Sequence, residues 1–81
     1  MNTDRLADAL AIEAWRFRAN MLRAEAESCE AKADSLSAHL RGDLDAESKA
    51  LDRIYRAGAA RWFWEDAFEA GMRHVRNLES I

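Results

Sequence analysis

The chain has 81 residues, a formal net charge of −3, no proline, a single cysteine (Cys29) and 49% hydrophobic residues. One cysteine excludes an internal disulfide, and with His39 and His74 far apart it leaves no ligand set for a structural zinc. Scarce Val, Ile and Thr argue against strands, the apolar half against disorder, and charges interrupt every apolar run well short of membrane-spanning length.

The expectation is one all-α domain over residues 1–81, near the lower size limit for a single core. Without disulfides or metal, helix packing and self-association have to supply the stability. The first apolar stretch is broken by Asp8, Glu13, Arg16 and Arg18, so no secretory leader is read. Together with an unpaired cysteine, this makes the cytoplasm the expected compartment.

The first predicted helix covers residues 4–41, with Asn2 or Thr3 as its cap and Asp4 favourable to its dipole. Arg41 and Gly42 suit its carboxyl end. Ile12, Trp15, Ala19, Leu22, Ala26, Cys29, Ala33, Leu36 and Leu40 follow at alternating spacings of three and four. That is a heptad seam, and it is the expected contact with the next helix. A second stripe, Leu6, Leu10, Ala14, Phe17, Met21 and Ala24, covers the opposite side of the amino-terminal half only. Glu27, Ser28, Asp34 and Ser35 follow it, so that half alone is expected to be buried on two sides.

Residues 42–45 (Gly-Asp-Leu-Asp) read as a turn, with Asp43 or Asp45 capping a second helix over residues 45–79. Its main stripe is Ala50, Ile54, Ala57, Trp64, Phe68, Gly71, Val75 and Leu78, interrupted by Arg61. Leu51, Tyr55, Gly58 and Trp62 make a secondary one. Gly58 marks a close helix crossing or, as the competing reading, a kink or split in helix two. So short a turn predicts a long antiparallel hairpin.

Trp62, Phe63 and Trp64 are consecutive and span about 200° of a helix, more than one neighbour can cover. Leu6, Leu10, Trp15, Phe17, Met21, Trp62, Phe63, Trp64 and Phe68 are therefore the expected oligomer interface. A homodimer forming a four-helix bundle is the simplest form, with a higher oligomer or a heterologous protein partner meeting the same demand.

Catalytic signals are weak. Cys29 reads as a buried small hydrophobe with no base nearby. Glu65 and Glu69 are placed for ion pairs with Arg61 and Arg73. No enzyme, metal or cofactor is expected. Arg53, Tyr55, Arg56, Arg61 and Trp62 offer a possible nucleotide or nucleic-acid surface, through stacking and phosphate contacts. The competing reading has these arginines paired with Glu30, Asp52 or Asp66, and net acidity weighs against duplex binding. Asp34, Asp43, Asp45, Glu47 and Asp52 form an acidic tip that could occupy a basic groove in place of nucleic acid.

The leading expectation is a non-enzymatic interaction module: a homodimer that inhibits or modulates another protein. Short helical chains of this kind are common among phage and mobile-element proteins directed against host defences, such as anti-CRISPR proteins. That expectation rests on size and simplicity rather than on any residue.

Overall fold

The computed structural model describes residues 2–80, with side chains from residue 5. It contains two helices, α1 (Asn2–Arg41) and α2 (Leu44–Glu79), folded into an antiparallel hairpin. The Cα trace measures 61 × 13 × 12 Å, a rod one helix pair thick. The capping read for Asn2 or Thr3, and the dipole role of Asp4, lie outside the described side chains.

The turn is shorter than residues 42–45 because one residue serves both helices. Gly42 adopts φ 69°, a left-handed conformation that glycine enters without steric penalty. Its N–H donates to the His39 carbonyl at 3.1 Å, and the Asp43 N–H to the Ala38 carbonyl at 3.0 Å. These two bonds close α1 in a Schellman arrangement. The Asp43 carboxylate then accepts from the Ala46 N–H at 3.1 Å, capping α2. Helix α2 accordingly begins at Leu44.

Helix α2 runs unbroken through Gly58, and both readings of that residue are corrected. A Cβ built there meets nothing within 4 Å, so it is not a close crossing either. The tight approach is at Gly71, where an added Cβ would sit 3.1 Å from the Cβ of Ala14.

The main stripe of α2 faces α1 as expected, with Ala50, Ala57 and Val75 buried. On α1 the outcome is the reverse of the expectation. Ile12 (54% exposed), Leu36 (67%) and Leu40 (87%) point away from α2, and Cys29 is exposed rather than buried. The second stripe makes the contact, through Ala14, Phe17 and Met21, although Leu6 at its end is exposed. Nor does that stripe stop halfway: Ala31, Ser35 and Ala38 are buried and carry it to the turn. Small residues are buried on both helices there, with Ala50 and Ala57 on α2, so the axes can approach closely and Ser35 is tolerated inside.

Candidate functional site

Cross-helix contacts identify two faces of the hairpin. Trp15 packs on Phe68 with ring centroids 5.4 Å apart, and the Arg18 guanidinium lies 5.3 Å from the Phe68 centroid. His39 meets Glu47 on the same side, at 3.3 Å. On the opposite side Arg53 donates to Glu27 at 2.8 Å and to Asp34 at 2.7 Å. The two faces differ in chemistry.

The Arg53 face is mainly charged. Hydrogen bonding to Glu27 and then to Asp34 holds the Arg53 guanidinium more firmly protonated than usual. Arg16–Glu13 (3.3 Å), Lys49–Asp45 (3.0 Å) and Arg56–Asp52 (2.7 Å) are local helical pairs. The hydrogen bond that Lys49 donates to Asp45 also keeps its ammonium more firmly protonated than usual.

The face marked by Trp15 and His39 carries two exposed apolar stripes alongside charged groups that include Arg18, His39 and Glu47. Leu22, Cys29 and Leu36 follow Trp15 at heptad spacing along α1, and all are exposed. On α2, Leu51 stands one turn beyond Glu47, followed by Tyr55, Gly58 and Trp62 on the same side. Tyr55 is 85% exposed and Trp62 70%, and an open groove lies between them, lined by Ile54, Gly58 and Ala59. By helical geometry the α2 stripe stands about 100° round from its interhelix stripe, and the α1 heptad stripe about 150° round from its own. Both turn toward the same side. The row of Arg18, Glu25, Lys32 and His39 on α1 lies between them.

The residues expected at an oligomer interface are divided by this arrangement. Trp15 and Trp62 are exposed on the apolar face, whereas Leu6 and Phe63 are exposed on the other. Phe17 and Trp64 stack within the hairpin at 5.5 Å, Phe63 meets Trp64 edge-on at 4.8 Å, and Met21 is buried between the helices. Leu10 and Phe68 are half-buried. Ile12, Leu22, Leu36 and Leu40, which the periodicity assigned to the inner seam, are outward apolar residues missing from that set, as are Leu44, Leu51 and Tyr55.

The arginine–aromatic set does not converge. Tyr55 and Trp62 lie on the apolar face, Arg53 and Arg56 on the charged one, and Arg61 is half-buried with its Nε unpartnered. Arg53 and Arg56 are engaged by acids, Asp52 as expected and Glu27 and Asp34 across the hairpin. Glu65 and Glu69 form no ion pair with Arg61 or Arg73 among the described residues, correcting that expectation. At the acidic tip Asp34, Asp45, Glu47 and Asp52 each pair with a base, and Asp43 caps α2. Comparison with protein-family models, curated proteins and solved structures finds no match to this chain.

Proposed function

We propose that the chain is a non-enzymatic protein–protein interaction module: a homodimer of hairpins, four helices in all, that inhibits or modulates another protein. The observation carrying this reading is the outward stripe of α1, where Ile12, Trp15, Leu22, Leu36 and Leu40 are all exposed, with Leu51, Tyr55 and Trp62 forming a second exposed apolar stripe on α2. Exposed apolar stripes of that kind are costly to leave in water and mark interaction sites. Cytoplasmic residence belongs to the same proposal.

The nucleotide-binding and acidic-mimic readings rank below it. Each draws mainly on charges that are already engaged within the hairpin, Arg61 being the exception.

Sedimentation of the purified chain tests the homodimer. Wild type is expected to be dimeric at micromolar concentration, and Leu36→Glu to shift it toward monomer with helical circular dichroism retained. A folded wild type that stays monomeric throughout would refute the proposal. Tyr55→Ala/Trp62→Ala tests the second role: the variant is expected to remain dimeric and to lose the protein partner that wild type retains.

A further inference from the structure

We infer that the second copy seats on the outward stripe of α1, antiparallel to it, with the two-fold axis passing between Glu27 and Ser28. This register rests on the dimeric reading above and specifies it.

The stripe has two rows: Ile12, Ala19, Ala26, Ala33 and Leu40, and Trp15, Leu22, Cys29 and Leu36. In an antiparallel pair each row faces the other row of the neighbouring helix. Setting Ala26 against Cys29 of the second copy fixes the remaining layers. They are Leu22 with Ala33, Ala19 with Leu36, and Trp15 with Leu40. Every alanine then faces a longer side chain, so the layers interdigitate.

Charge selects this register from its neighbours. Arg16, Arg23 and Glu30 flank the stripe on one side, and Arg18, Glu25 and Lys32 on the other. In the proposed register Arg23 meets Glu30 of the second copy and Glu25 meets Lys32, each pair occurring twice by symmetry. Sliding by one heptad in one direction sets Arg23 on Arg23, Glu25 on Glu25 and, twice by symmetry, Arg18 on Lys32, against which only the Arg16–Glu30 pair is attractive. Sliding the other way sets Glu30 on Glu30 and Lys32 on Lys32. A parallel pair sets Arg18 on Arg23 and Glu25 on Glu30. Flanking charges of this kind decide orientation and register in coiled coils. Glu25, Glu30 and Lys32 are exposed and, among the described residues, in no ion pair within their own chain. Arg23 contacts only the Asn20 side chain, at 2.8 Å.

The test is a charge-reversal cycle read by analytical ultracentrifugation. Glu25→Lys and Lys32→Glu alone are each expected to raise the dimer dissociation constant about tenfold, since two attractions become two repulsions. The double variant restores it to near the wild-type value. In a parallel dimer Glu25→Lys would instead tighten association, because the new lysine faces Glu30. A dissociation constant unchanged or lowered by Glu25→Lys overturns the register while the dimer stands; a monomeric wild type overturns both. Oxidative cross-linking of Ala26→Cys supplies a readout independent of affinity. Peptide mapping should join position 26 of one copy to Cys29 of the other, and joins of 26 to 26 with 29 to 29 would contradict the antiparallel arrangement.

Discussion

The three glycines occupy three different environments, and each carries its own expectation. Gly42 holds a left-handed backbone, so Gly42→Ala should cost about 1 kcal/mol. Gly58 sits mid-helix with open space where a Cβ would go, so Gly58→Ala should stabilise by up to about 1 kcal/mol through helix propensity. Gly71 has Ala14 at 3.1 Å from that position, and Gly71→Val should lose about 1–3 kcal/mol as the helices are forced apart. Urea denaturation of the three variants should give this order of signs. Stabilisation by Gly71→Val would mean that the helices do not approach closely there.

At the level of the helices, α2 was legible in its apolar spacing and α1 was not. Both stripes of α1 keep helical periodicity, and the one with Ile, Trp and Leu is the more hydrophobic, so periodicity ranks it first. What that ranking omits is the neighbour. Helix α2 presents Ala50, Ala57 and Gly71, and the matching surface is the small one of Ala14, Ala31 and Ala38. Shape complementarity between helices is a property of the pair. The turn was legible because Gly42 and Asp43 have local chemistry, and the Asp52–Arg56 bridge because its spacing is helical. The bridges from Arg53 to Glu27 and Asp34 depend on cross-helix register, which no local pattern encodes. Ala31→Leu tests the assignment of α1 directly. It should cost about 1–3 kcal/mol by overpacking a site with no exposure, whereas Ala70→Leu on the exposed side of α2 should stay within about 0.5 kcal/mol.

For the molecule as a whole, the interior of the hairpin is too modest to explain its length. Among the described residues, the buried set is Ala7, Ala14, Met21, Ala31, Ser35, Ala38, Ala50, Ala57 and Val75, with no large side chain fully enclosed. Alanine contributes little burial energy per residue, while ordering each residue costs on the order of 1–2 kcal/mol. Many of the larger apolar groups, Ile12, Trp15, Leu22, Leu36, Leu40, Tyr55 and Trp62 among them, are outside, where a second molecule would dry them. Folding and association should therefore be coupled, and the melting temperature should depend on protein concentration. For two chains melting together, a tenfold rise in concentration adds about 1.4 kcal/mol per dimer, equivalent to about 3–5 °C at this size. Scanning calorimetry over roughly two decades of concentration measures the slope. Leu36→Glu, which would bury a carboxylate in the outward stripe of the proposed dimer, should flatten it and lower the melting temperature at the concentrated end most. A wild-type melting temperature independent of concentration would place all of the stability in the single hairpin and leave its outward leucines and aromatics without a role in folding.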